Sequence, residues 1–359
     1  PTAPAAPAAI LGVYDLAAFH EHGRLDGANA MGAISGTTVD IPSGTIAEVA
    51  VFEGGTPAGF EEDRHVQVVF EFDESSNGSW GDKHPVADTS LALMSFMLQG
   101  HVPGRGSYGD HMERGLAYMV NMGKKGRGGY LGTPSHHGGM YEHGLAILAL
   151  SEAWGQSSNR DLRNTLRRAV DVTIRAQNSQ GGWRYNPEPR DADLSMTVMH
   201  TVALNSAKEA GISVPDKVLE KAVQYVESCQ DKTSGGFGYS GPSGPGFART
   251  GAGVMSLIMC GRRDHPAVQR GMKFLNSYPD QKFSGGSHFL YGNYYAIQCM
   301  YQMGESHFNA YYPRIRDSLL QKQNKSDGRW SIKEGDTYST SMAILILGVP
   351  YRFLPIYQR

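Results

Sequence analysis

Six glycines, each closing an apolar run, recur along this 359-residue chain at intervals of roughly 45 to 55 residues. They are Gly100, Gly155, Gly211, Gly261, Gly304 and Gly348, ending segments such as LALMSFMLQG, GLAILALSEAWG and SMAILILG. Glycine just past an apolar helix is a usual stop, because the residue there often turns left-handed, a conformation that costs glycine little. One stop says little. Six in register describe an internal repeat, and a repeat decides architecture before any motif does.

A second kind of helix lies between these stops: DHMERGLAYMVNMG, RDLRNTLRRAVDVTIRAQ, DKVLEKAVQYVESCQ, HPAVQRGMKFLNSY and YYPRIRDSLLQKQ. These are amphipathic. In the second, Leu162, Leu166, Val170 and Ile174 make one apolar stripe. The glycine-capped helices are apolar nearly all round and are expected to be buried on every side. Alternating buried and half-buried helices predict two concentric rings, an all-α fold of the (α/α)6 toroid type. Only five outer helices are legible beside six inner ones. The missing outer element is expected from the N-terminus, where ILGVYDLAAFHEHGRL (about 10–24) is the helical candidate. TTVDIPSG, IAEVAVFEGG and HVQVVFEFD alternate and are β-branched, so residues 1–74 read as a strand-containing arm and 75–359 as the toroid of about six helix-pair repeats.

A third element repeats in phase. Glycine followed by an aromatic comes after most amphipathic helices and brings in Trp80, Tyr130, Trp183, Phe237 and Trp330, with Phe283-Ser284-Gly285-Gly286 as a degraded copy. The fuller versions read QNSQGGWRY, CQDKTSGGFGY and QNKSDGRW. Glutamine can satisfy orphan carbonyls at a helix end, glycine permits a tight reversal, and the aromatic plugs the gap between repeats. These aromatics are expected to be structural. The pattern resembles the QW motif of squalene–hopene cyclases and protein prenyltransferase β subunits. MYEHGLAILALSEAWG, GGWRYNP with DADLSMTVMHTVALNSAKEAG, and VPYRFLPIYQR resemble the prenyltransferase/squalene-oxidase-repeat proteins of planctomycete-type bacteria. That resemblance implies the toroid fold; the same fold carries cyclases, prenyltransferases and glycan-processing enzymes, so it does not choose an activity.

Composition excludes some partners. A formal net charge of −2 gives no electrostatic case for nucleic acid. No apolar run approaches the roughly 20 residues that span a bilayer. Cys229, Cys260 and Cys299 show no metal spacing, and no cofactor is expected. The opening PTAPAAPAA looks like the spacer behind a cleaved export signal, which suggests an exported protein, although the boundary of a cloned fragment explains it equally well.

In a toroid of this kind the inner helices run parallel and their N-termini open at one mouth. Residues near those starts converge there: His84 and Asp88; His136, His137, Glu142 and His143; Asp191 and Asp193; Arg249; His288, Tyr291 and Asn293; Asp336 and Tyr338. Asp88, Asp193 and Asp336 also suit helix caps. His136-His137 with Glu142-His143 reads either as a metal or acid–base cluster or as polar caps. Glu142 and His143 point about 100° apart on a helix, which disfavours a shared metal. Asp191-Ala-Asp193-Leu194 resembles the D-x-D-D acid motif of class II terpenoid cyclases, with Leu194 in the last position. The prenyltransferase zinc ligands and basic diphosphate residues have no counterparts beyond Arg249. Two readings follow. The main expectation is a non-catalytic scaffold or accessory subunit that holds protein partners in a larger assembly. The alternative is an enzyme on a hydrophobic, isoprenoid-like or glycan substrate, with Asp191 and Asp193 as acids.

Overall fold

The computed structural model describes residues 45–52, 65–81, 83–133, 138–157, 159–286, 288–324, 327–331 and 335–351. Strands β1 (Thr45–Phe52) and β2 (His65–Asp73) pair antiparallel. Twelve α-helices follow among the described residues: α1 (Pro85–Leu98), α2 (Gly109–Lys125), α3 (Gly139–Ala153), α4 (Leu162–Arg175), α5 (Leu194–Glu209), α6 (Asp216–Ser228), α7 (Phe247–Met259), α8 (Pro266–Ser277), the short α9 (Gln281–Ser284), α10 (Phe289–Met303), α11 (Glu305–Lys322) and α12 (Asp336–Leu347).

The inner ring is α1, α3, α5, α7, α10 and α12, each packed on the next, with α12 returning to α1. The fold is therefore an α/α toroid, as the repeat predicts. Inner helices are buried on nearly every face; in α12 every residue from Ser339 to Leu347 is buried. Outer helices bury one stripe only. In α4, Leu162, Leu166 and Val170 are fully buried and Ile174 is partly so. The helix expected near residues 10–24 lies outside the described residues.

Five of the six stop glycines, from Gly100 to Gly304, adopt positive φ, a region that glycine enters at little cost. Gly348 does not (φ −84°). There an added Cβ would meet Leu98 Cδ2 at 2.2 Å, so glycine is needed for close approach of the last inner helix to the first.

The Gln–Gly–aromatic segments stitch neighbouring repeats. Gln177 Nε2 donates to the carbonyls of Gly181 (2.9 Å) and Val218 (2.8 Å), and Gln230 Nε2 to those of Gly235 (2.9 Å) and Ala267 (2.8 Å). Trp80, Trp183, Phe237 and Trp330 are buried, and their backbone N–H groups donate to Thr89, Thr197, Thr250 and Thr340 on the inner helices at 3.0–3.2 Å. The second repeat corrects the expectation for Tyr130. Its buried plug is Leu131, two residues past Gly129, and the Leu131 N–H donates to His143 Nδ1 at 3.0 Å. Tyr130 is only partly buried, its ring tilted against that of His143 with centroids 5.1 Å apart.

Candidate functional site

The parallel inner helices bring their first turns to one end. Among the described residues, Asp88 in the first turn of α1, Glu142 and Asp193 are the buried carboxylates there, and the last two, the more deeply buried, have different surroundings.

Asp193 caps α5 in extended conformation and is 0% exposed. Oδ1 accepts from the Met196 N–H (2.9 Å) and from Ser195 Oγ (2.5 Å). Oδ2 accepts from Arg184 Nη1 (3.1 Å) and from the Tyr239 hydroxyl (3.2 Å). A carboxylate has about four acceptor positions, and here all four face protein donors. Outward from this knot, Tyr141 donates to Ser195 Oγ at 2.6 Å and the Tyr185 and Tyr239 hydroxyls bond each other. The Arg184 guanidinium lies over both of those rings, 4.9 and 5.4 Å from their centroids. Burial raises the Tyr141 and Tyr239 phenols far above their ordinary range, so both stay protonated donors. Asp191 stands outside, 67% exposed, 3.6 Å from Arg184 Nε.

Glu142, in the first turn of α3, is 2% exposed. Oε2 accepts the Thr133 N–H at 2.6 Å, and Oε1 lies 3.2 Å from Nδ1 of His84, the residue before α1, whose side chain is 51% exposed. Burial, with Glu142 adding to it, pushes the nearby Tyr130 phenol up to about 12.

The remaining residues singled out by sequence separate. His136 and His137 lie outside the described residues. His143 is not at the mouth: it is fully buried, its Nε2 donates to the Ala169 carbonyl (3.1 Å), and burial pushes the imidazole down to about 4. It is a wall residue, because the 100° step along the helix turns it away from the face that carries Glu142. Arg249 donates to the Gly244 carbonyl at 2.7 Å. Asp336 is exposed at the rim, 3.8 Å from Arg329, which also meets Asp327 at 3.2 Å. Tyr291 points its hydroxyl into a buried position on α10. Among the described residues no group of three or more His, Cys, Asp or Glu side chains could hold a metal ion. No described helix is long and apolar enough to cross a membrane.

Sequence reasoning missed Tyr141, Arg184, Tyr185, Ser195 and Tyr239. A signal was present. Tyr185 and Tyr239 each follow their plug aromatic by two residues, in GGWRY and GGFGY, so the internal repeat itself marks the mouth.

No protein-family model matches the chain, and no curated protein does. Solved structures do match. The alpha-1,6-mannanase GH76A of Salegentibacter sp. HEL1_6, in complex with alpha-1,6-mannotetrose, aligns with a TM-score of 0.58 at 10% identity, over 76% of this chain and 93% of that one. Cellobiose 2-epimerase from Bacillus thermoamylovorans B4167 aligns at 0.54 and 11%, over 74% and 87%. The type II terpene cyclase MstE from Scytonema aligns at 0.52 and 13%, over 78% and 95%. At such identities the likeness is one of fold, and it establishes the toroid. These matches also correct the expectation of a non-catalytic scaffold: the mannanase, the epimerase and the cyclase that share the ring are all enzymes, and the alternative expectation is the one that agrees with them.

Proposed function

We propose that this chain is an enzyme performing proton-transfer chemistry on a glycan held at the mouth of the ring. The observation that carries this reading is the His84–Glu142 pair, a half-exposed imidazole held at 3.2 Å by a carboxylate almost sealed from water. With Nδ1 donating to Glu142, the basic lone pair belongs to Nε2, and the carboxylate stabilises the imidazolium formed when a proton is taken. The Thr133 N–H fixes the other carboxylate oxygen, so the orienting group is itself oriented. Base plus buried orienter is the arrangement that general acid–base catalysis needs, whether the step is hydrolysis of a glycosidic bond or removal of a proton beside a carbonyl. The mannanase and epimerase act on sugars, which agrees with this.

Three features favour a glycan over an isoprenoid. The tyrosines of the mouth offer ring faces and hydroxyls together, matching the faces and hydroxyls of a pyranose. The mouth arginines Arg184, Arg249 and Arg329 are each engaged by carboxylates or a carbonyl, which suits a diphosphate poorly. Asp193 has no acceptor position left from which to deliver a proton to an alkene, so the acid role expected of it is not adopted. The edge-to-face Tyr291–Tyr295 and Tyr294–Tyr295 contacts, 5.0 Å each, are what a carbocation reading would rest on. The test is turnover of alpha-1,6-mannotriose, cellobiose and other gluco- and manno-oligosaccharides, run beside squalene and geranylgeranyl diphosphate. Sugar conversion that is lost in His84→Ala supports the proposal; conversion of an isoprenoid alone, or sugar conversion indifferent to His84, overturns it.

A further inference from the structure

Tyr291 is the third residue of α10, which stands opposite α3 in the inner ring. Its ring meets that of Tyr295 of its own helix edge-on at 5.0 Å, and its hydroxyl is within electrostatic reach of Tyr141 of α3, Asp193 capping α5 and Tyr338 of α12. A side chain within range of the helix across the ring is near the ring axis.

The phenols around it differ in what their hydroxyls do. Tyr141 bonds Ser195, Tyr239 bonds Asp193, and Tyr185 bonds Tyr239. The Tyr291 hydroxyl is closed to solvent and meets no hydrogen-bond partner among the described residues. Leaving a buried hydroxyl without a partner costs about 1–3 kcal/mol, and folded proteins retain few such groups without a reason.

A second observation falls on the same turn. His288, just before α10, has φ 61° and ψ 27°, and it is the only non-glycine residue with positive φ among the described residues. Its ring meets that of Tyr291 edge-on at 6.5 Å, and it is exposed where the Tyr291 oxygen is not. Backbone strain of this kind gathers at ligand clamps and switches. An unengaged donor and acceptor thus sits under a strained, exposed residue at the axis of the mouth.

We propose that Tyr291 hydrogen-bonds a hydroxyl of the bound substrate at the ring axis, reached past His288, and that this bond selects a sugar over a hydrocarbon. The proposal rests on the glycan reading above. A phenol donates and accepts at one oxygen, as a sugar hydroxyl does, whereas a hydrocarbon offers neither. Sites built to bond a substrate hydroxyl reject the analogue that lacks it far more strongly than apolar pockets reject a missing methylene.

Two measurements test it. The first needs no ligand. Tyr291→Phe should melt no lower than wild type, while Tyr311→Phe, which removes a hydroxyl bonded to Asn293 Oδ1 at 2.6 Å, should melt several degrees lower. A comparable loss in Tyr291→Phe overturns the proposal, since the hydroxyl then has a structural partner. The second is calorimetric titration with alpha-1,6-mannotriose and cellobiose and with their monodeoxy analogues. Tyr291→Phe should bind the sugar that wild type binds about tenfold more weakly, and should no longer discriminate against one deoxy analogue. Equal affinities in the two proteins overturn the role of Tyr291 while leaving the glycan reading in place. Failure of wild type to bind either sugar overturns the glycan reading and the sugar-bonding role with it.

Discussion

Glu142 and Asp193 are both sealed from water at the same end of the ring, one inner helix apart, yet their surroundings differ in kind. Asp193 receives four donors, two of them charged or phenolic side chains that hold further rings in place. Glu142 accepts the Thr133 N–H and faces a half-exposed imidazole, that of His84. A carboxylate with every acceptor position filled by the protein is an anchor. One that shares its charge with a solvent-facing imidazole can help move a proton. The contrast teaches that burial alone does not mark a catalytic acid; the identity and exposure of its partners do.

The largest effect should come from breaking the anchor. Asp193→Ala leaves Arg184 and Tyr239 without their acceptor and removes the α5 cap, and it should lower unfolding free energy by about 3 kcal/mol in urea titrations. A loss below about 1 kcal/mol would erase the distinction drawn between the two carboxylates. Next in size is the other half of the contrast. His84→Ala and Glu142→Gln should each cut sugar turnover at least about a hundredfold, with urea midpoints near that of wild type. A parallel fall in stability would make Glu142 a second anchor.

The histidine beside Glu142 makes part of the stability depend on pH. Burial holds His143 down at about 4, while an unfolded histidine takes a proton near 6.5. Between those values the unfolded chain binds more protons, so this contribution is intact above pH 6.5 and is lost as pH falls toward 4. The slope is up to about 1.4 kcal/mol per pH unit for this group, and His200, shifted the same way by burial, adds to it. His143→Thr, which installs the residue type used by four other repeats, should flatten the slope of melting temperature against pH. An unchanged slope would mean that His143 is charged in the fold. The smallest effect is expected at Asp191, whose pair with Arg184 is exposed: Asp191→Asn should change stability by less than about 0.5 kcal/mol and leave turnover unchanged.

The ring was legible because its signals are local. A glycine stop, an apolar helix and a glutamine about 20 residues beyond the stop can each be read within a short window, and their spacing gives the repeat. The second repeat was misread by one residue because its plug is aliphatic. Elsewhere a large aromatic faces a small threonine; here the smaller Leu131 faces the larger His143, which roughly conserves the volume of the pair. Asp193 was legible as a cap, since capping depends on three successive residues. Its other donors, Arg184 and Tyr239, come from separate loops, and no local pattern announces that they meet. The His84–Glu142 pair joins residues 58 apart and was visible only as two members of a longer mouth roster.

The closure of α12 onto α1 bears on how such a chain reaches its fold. Ser95 Oγ, whose hydrogen goes to the Leu91 carbonyl of its own helix at 2.9 Å, also lies 3.4 Å from the Ser341 carbonyl, across 246 residues of sequence. An open array of helix pairs can nucleate anywhere, grow repeat by repeat, and tolerate gain or loss of a unit. Here α1 keeps one flank unburied until the last inner helix has formed and docked. The final contact therefore carries a loop-closure entropy that no earlier repeat carries, and folding should end in one slow, all-or-none step. Deleting a repeat should not give a shorter ring but an arc with two apolar ends.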